Sequence, residues 1–306
     1  MRWRQLMCYP FVLCVVCFYP AISFPQDFSK VEITTENLGG NIYMFQGSGG
    51  NLAASVGKDG IFLVDDQMAP LAGKIKSALS AISKGKVRFV LNTHWHFDHV
   101  GGNEALAKAG AVLVAHKTVR KRMSAEQVDA FFNSKTPPAP EIARPVLTYV
   151  KELDFFLNDE IIEVTHPVPA HTDGDSIVFF RNANVLHAGD IYFQGMYPFI
   201  DYSTGGSIDG VIQAGQAMLA MIDDKTKVIP GHGSLSTKAD FKTYIDMLND
   251  IRHSMAKYIE EGKSLEQIQK LKPTARYDAK WGNGFLPPEK FVQMLFDGMT
   301  GNSQAS

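Results

Sequence analysis

The stretch Thr93-His-Trp-His-Phe-Asp-His-Val-Gly-Gly102 constrains this chain more than any other. Four side chains of metal-binding type, His94, His96, Asp98 and His99, fall within six residues of a 306-residue chain that holds nine histidines. At that histidine frequency the pattern arises by chance on the order of once in a few thousand proteins of this size. Neutral imidazole and carboxylate suit zinc-like ions. The apolar run Val87-Arg-Phe-Val-Leu91 predicts a strand that leads straight into the cluster. His94 and His96, two apart, can then project the same way. Asp98 and His99 follow at the turn, within reach of a second ion, and Gly101-Gly102 lets the backbone turn tightly before the next helix.

Further ligand-type residues recur downstream. His171 lies in Pro169-Ala-His-Thr-Asp-Gly174, Asp190 ends Val185-Leu-His-Ala-Gly-Asp190, and His232 lies in Val228-Ile-Pro-Gly-His-Gly233. Taken singly, each reads as a loop residue beside glycine, alanine or proline. Taken with the first cluster, they complete two coordination spheres.

The first residues read as a secretory signal. Arg2 and Arg4 give a basic start, an uncharged apolar run extends from Leu6 to Phe18, Pro20 breaks it, and Ala21-Ile22-Ser23 offers small residues where a signal peptidase reads. The run is shorter than the roughly twenty apolar residues a bilayer span needs. The expected organisation is a signal over 1–23, one domain over 24–306, and a periplasmic or secreted location with no stable membrane span after cleavage. Cys8, Cys14 and Cys17 all lie in the signal, so residues 24–306 hold no disulfide and no thiolate ligand or nucleophile. Losing Arg2 and Arg4 takes the formal charge from −2 to −4, a balance that gives no electrostatic reason to bind nucleic acid.

The remainder alternates strand and helix patterns. Strands are expected at 41–45, 52–56, 61–64, 87–91, 111–115, 161–164, 176–180 and 184–187. Helices are expected at 71–82, 103–109, 209–222, 237–260 and 288–296. Residues 124–143, broken by Thr136-Pro-Pro-Ala-Pro140, read as a long loop beside the site.

In the order and spacing of its histidines and aspartates, over nearly all of residues 30 to 235, the chain resembles the metallo-β-lactamase superfamily. The resemblance implies an α/β fold, a four-layer αββα sandwich with the site at one edge of its two sheets. It implies that His94, His96 and His171 hold one metal, that Asp98, His99 and His232 hold a second, and that Asp190 bridges both. Asp65, after Ile61-Phe-Leu-Val64, matches an early aspartate that orients ligands without binding metal. The best-known β-lactamases carry cysteine or serine at the position of Asp190, so an aspartate there leans toward the glyoxalase II and lactonase-like hydrolases.

Two Zn2+ ions per chain are expected, with Fe or Mn as alternatives. Ions sharing one water lower its pKa and make a hydroxide nucleophile. Asp98 and Asp190 are then the catalytic proton carriers as well as ligands. His187 and Asp175 are expected to support the ligands from behind. The aromatic stretch Tyr192-Phe-Gln-Gly-Met-Tyr-Pro-Phe-Ile-Asp-Tyr202 offers Tyr197 and Phe199 as walls of a substrate pocket. Trp95 and Phe97 are expected to pack below the site, His116 and His166 to be structural or surface residues, and His253 to face solvent. The function expected is an exported dinuclear zinc hydrolase of a small acyl substrate, a β-lactam, lactone or thioester. The alternatives are an iron-dependent redox member of the same superfamily and a non-catalytic metal-binding periplasmic accessory protein.

Overall fold

The computed structural model describes residues 27–301, so the expected signal over 1–23 lies outside the described residues. The first sheet starts with β1 (Thr34–Gly39), β2 (Ile42–Gln46), β3 (Leu52–Gly57), β4 (Gly60–Val64), β5 (Val87–Asn92) and β6 (Val112–His116), side by side in chain order. β1 to β4 are antiparallel, and β4, β5 and β6 run parallel. The parallel pairs need crossovers, supplied by α1 (Ala72–Ile82) and by α2 (Phe97–Val100) with α3 (Asn103–Lys108). After α4 (Lys117–Met123) comes a hairpin of β7 (Gln127–Asp129) and β8 (Ser134–Thr136), and β9 (Leu147–Tyr149) then completes the first sheet beside β6.

The second sheet holds β10 (Glu152–Leu157), β11 (Glu160–Thr165), β12 (Ile177–Phe180), β13 (Val185–His187), β14 (Lys227–Ile229) and β15 (Ser236–Thr237) in that order. Its one parallel pair, β13 and β14, is joined through α5 (Ile208–Met221). The chain ends in α6 (Lys238–Glu260), α7 (Leu265–Leu271), α8 (Asp278–Trp281) and α9 (Pro288–Thr300).

Strand alternation sorts the side chains into layers. Met44, Phe62, Val64, Leu91 and Val114 from the first sheet pack against Ile162, Val164, Val178, Phe180 and Ile229 from the second. The opposite face of the first sheet, with Leu63, Val90 and Leu113, is covered by Ile75, Leu79 and Leu106 of α1 and α3. The outer face of the second sheet, with Phe179, Leu186 and Val228, is covered by Met218, Phe241, Leu248, Phe291 and Leu295. The result is the expected αββα layering. Among the described residues no helix is long and apolar enough to cross a membrane.

Several elements depart from expectation. Residues 124–143 hold the β7–β8 hairpin and a 3-10 turn at Glu141–Ala143, where a loop is expected. Those strands are three residues long and only one of their six residues, Gln127, is buried, so they carry no apolar period. β1, almost wholly exposed, and β10, alternating between exposed and half-buried positions, are edge strands with the same weakness. The short α7 and α8 are also unannounced, and α9 runs on to Thr300.

Candidate metal centre

The site forms where parallel strands end, the usual location for ligands in such sheets. β4 delivers Asp65, β5 delivers Thr93 and His94, β13 delivers Asp190, and β14 delivers His232. His96 then precedes the single turn of α2, which carries Asp98 and His99. His171 comes from the turn between β11 and β12. Its backbone N–H donates to Asp175 Oδ2 at 2.7 Å, as does that of Thr172 at 3.0 Å. Burial pushes the Asp175 carboxyl up to about 7. Asp175 thus fixes His171 through the main chain.

The ligand-type atoms converge in two groups, His94, His96, His171 and Asp190 in one and Asp98, His99 and His232 in the other, each with its atoms within 4.8 Å of one another. His96 Nδ1 lies 3.1 Å from His94 Nε2 and 2.9 Å from His171 Nε2. His99 Nε2 lies 3.4 Å from His232 Nε2. Asp190 stands between the groups. Its Oδ2 is 3.6 Å from His171 Nε2 and 3.3 Å from His232 Nε2, and its Oδ1 is 3.1 Å from His99 Nε2.

The outward ring nitrogens decide which form these imidazoles take. His171 Nδ1 meets the carbonyl oxygen of Phe199 at 2.8 Å, and a carbonyl can only accept, so Nδ1 carries the hydrogen and Nε2 presents a lone pair. His99 Nδ1 donates to Asp65 Oδ2 at 2.8 Å, and His96 Nε2 donates to Asp201 Oδ2 at 3.1 Å. Thr93 Oγ1 donates to Asp65 Oδ2 at 2.7 Å and so accepts from His94 Nδ1 at 3.0 Å. Three lone pairs, on His94 Nε2, His96 Nδ1 and His171 Nε2, therefore point inward at contact distance, while that of His99 Nε2 faces His232 and Asp190. Lone pairs so placed repel unless a proton or a metal cation lies between them. The buried Oδ1 of Asp190 also lacks a hydrogen-bond partner. Imidazole nitrogens and carboxylates with their outer atoms braced make a donor set that fits zinc-like ions.

The electrostatics agree. Burial holds His94 well below the usual imidazole range and takes His171 down to about 4. Burial opposes charge on His96 and His99 too. There it is outweighed, by Asp201 at His96 and by Asp190, Asp98 and Asp65 at His99, and both are raised. Burial works against the Asp190 carboxylate, but His99, His232 and His94 outweigh it and hold its pKa well below normal. The centre is built to keep the Asp190 carboxylate ionised beside cationic charge.

Two glycines are required for this closeness. A Cβ on Gly50 would collide with the His99 ring, and one on Gly231 would collide with Asp190 Oδ1. Asn51 ties the two loops together, its Nδ2 donating to the carbonyls of Pro230 and Gly233 at 2.9 Å each. His187 lies beneath this tie, within 3.0 Å of the Asn51 carbonyl through Nε2, and its Nδ1 accepts from the Gly189 backbone at 3.2 Å. It supports backbone rather than a ligand side chain.

Some expected roles need correction. Tyr197 is fully buried, stacked on Phe291, with its hydroxyl donating to Asp278 Oδ1 at 2.8 Å; it belongs to the core under α9 and does not wall the site. Phe199, two residues on, faces the other way, its ring 5.9 Å from His96 and 6.0 Å from His171. Trp95 packs beneath His96, but Phe97 is 63% exposed instead of packed. His116 and His166 stack on each other at 3.7 Å, and His253 is exposed. The sequence reading also missed Asp201, the brace of His96. Its only local signal is the turn in which its Oδ1 accepts from the Thr204 backbone at 3.1 Å.

Comparison with known proteins matches this geometry to a family. The model of the metallo-beta-lactamase superfamily matches residues 56–233. A hydroxyacylglutathione hydrolase of Pelagibacter ubique is 26% identical over 190 residues, 61% of this chain and 67% of the relative. In four curated relatives the matched stretch spans 48 to 68% of their own length. Among solved structures, the DIM-1 metallo-beta-lactamase aligns with a TM-score of 0.58 at 20% identity, covering 72% of this chain and 99% of that one. The stereoselective inverting sec-alkylsulfatase Pisa1 of Pseudomonas sp. aligns with a TM-score of 0.62 at 16% identity, covering 90% of this chain and 51% of that one. At those identities the structural likeness speaks for the fold alone.

Proposed function

Since the chain belongs to the metallo-beta-lactamase superfamily, a fold of metal-dependent hydrolases, we propose that it is an exported two-zinc hydrolase of a small acyl substrate. The observation that carries this reading is the pair of donor groups meeting at Asp190. His94, His96 and His171 would hold one ion, Asp98, His99 and His232 the other, and Asp190 both. When bound, the ions supply an activated water and polarise the acyl oxygen. The chain's own residues do the rest. Asp65, Thr93, Asp201 and the Phe199 carbonyl keep His99, His94, His96 and His171 each in one tautomer and orientation. Asp98, with a side chain 17% exposed against 4% for Asp190, is the carboxylate that can pass a proton between site and solvent at Oδ2. Export rests on the N-terminal signal pattern.

Among acyl bonds, a thioester is the first candidate. The aspartate at position 190 speaks against a β-lactam, and the name of the Pelagibacter relative supports a thioester over a lactone. The test is a panel of nitrocefin, acyl-homoserine lactones and acyl thioesters on zinc-loaded protein, with and without chelator. Hydrolysis of one class, lost on chelation and restored by zinc, is expected. Full activity in metal-free protein would overturn the reading.

A further inference from the structure

An aromatic ladder leads outward from the metal centre, and nothing in the centre itself requires it. Phe199 lies beside His96 and His171. Phe132, in the turn of the β7–β8 hairpin, sits 5.0 Å from Phe199, ring centroid to ring centroid, and Phe285, between α8 and α9, sits 5.5 Å from Phe132. These rings come from three separate parts of the chain. Each outer one is held in place by its own backbone. The Phe132 N–H donates to Asp129 Oδ1 at 3.0 Å, and Gly284 packs so closely on Met196 that a Cβ there would collide with it. Yet Phe132 is 41% exposed and Phe285 65% exposed. Rings fixed in position that run outward from a reaction centre offer an apolar wall to a ligand bound there.

The charge beside this wall is of one sign. A cavity of about 130 Å³ against Phe131 and Phe199 is lined by Asp129, Asp201 and Asp297 and by no lysine or arginine. Such a lining repels an anionic leaving group. A second copy of the chain is a poor occupant, because two phenylalanines at these exposures offer roughly 200 Å², against about 800 Å² per partner in a stable interface.

Resting on the hydrolase reading above, we infer that Phe132, Phe199 and Phe285 form a subsite for an apolar acyl chain, so that the substrate is a medium-chain acyl thioester with an uncharged thiol half. Water adds to the acyl carbon and the carbon–sulfur bond breaks. The products are the chain's carboxylate and the free thiol, and the released proton leaves through Asp98. A fully buried methylene improves binding about fourfold. A wall that covers one side of the chain should give about half of that free energy, or about twofold per methylene.

The test uses zinc-loaded full-length protein. Thioesters of N-acetylcysteamine with two to ten acyl carbons are compared in kcat/KM, and the matching free carboxylates are compared in Kd by calorimetry, which needs no turnover. The expected result is a rise of about twofold per methylene in kcat/KM and a fall of about twofold per methylene in Kd, both flattened in Phe132→Ala with Phe285→Ala. Phe156→Ala, which removes a ring 72% exposed on β10, should leave the slope alone. A flat calorimetric series in the unaltered protein overturns the subsite, as does a double variant that changes the oligomeric state but keeps the slope. A calorimetric series in which Kd falls with chain length, without thioester turnover, keeps the subsite and overturns the hydrolase reading instead.

Discussion

The two halves of the metal centre are held differently. In the half made by His94, His96 and His171, every imidazole has its outward nitrogen fixed by a partner, and the His94 and His171 side chains are 1% exposed. In the half made by Asp98, His99 and His232, Asp65 braces His99, while Asp98 and His232 are 17% and 22% exposed and His232 rests on the ring of Phe193. A donor already set in tautomer and direction loses less freedom when it binds. The braced half is therefore the anchor of the proposed two-ion site, and the open half, with Asp98 and His232, is the side that meets solvent.

Breaking the anchor should have the largest effect. His96→Ala is expected to lower kcat/KM for the accepted acyl substrate on the order of a thousand-fold or more, because several kcal/mol of charge stabilisation leaves with the ion. Steady-state kinetics checks this, and a loss under about tenfold would place the chemistry elsewhere.

Loosening the brace without removing the ligand sharpens the comparison. Asp201→Asn keeps an acceptor for the Thr204 backbone but weakens the hold on His96. Zinc affinity, read by competition with a chelator, should fall about 10- to 100-fold. An unchanged affinity would mean that the bracing plays no part in anchoring.

The smallest effect lies outside both halves, in the stacked pair of His116 and His166. Burial, and then the neighbouring His166, lowers the His116 pKa to about 4. In the unfolded chain a histidine titrates near 6.5. Between about 6.5 and 4 the unfolded state binds more protons, so stability falls as pH falls through that window and is unaffected above it. His116→Asn should flatten this loss, raising the thermal midpoint at pH 4.5 by roughly 2–4 °C relative to the unaltered protein. A larger gain at pH 8 than at pH 4.5 would contradict the assignment.

What the sequence disclosed depended on how local each signal was. His94, His96, Asp98 and His99 lie within six residues, and Asp190 and His232 each follow an apolar run that becomes a strand, so the convergence could be anticipated. Asp201 could not, since its bond to His96 spans 105 positions and its local pattern is that of an ordinary turn. Tyr197 and Phe199 show a different limit. Their segment has no strand or helix period to assign faces, and the chain turns one ring into the core and the other toward the imidazoles. The Pro-rich stretch at 136–140 concealed the hairpin that carries Phe132, and nothing around Phe285 marked it for the same wall.

Zinc content after reconstitution and desalting tests the convergence most directly, by elemental analysis of unaltered protein beside His232→Ala. Close to two ions per chain are expected in the first and close to one in the second, with the anchor still filled. One ion or none in the unaltered chain, or two retained without His232, would contradict it.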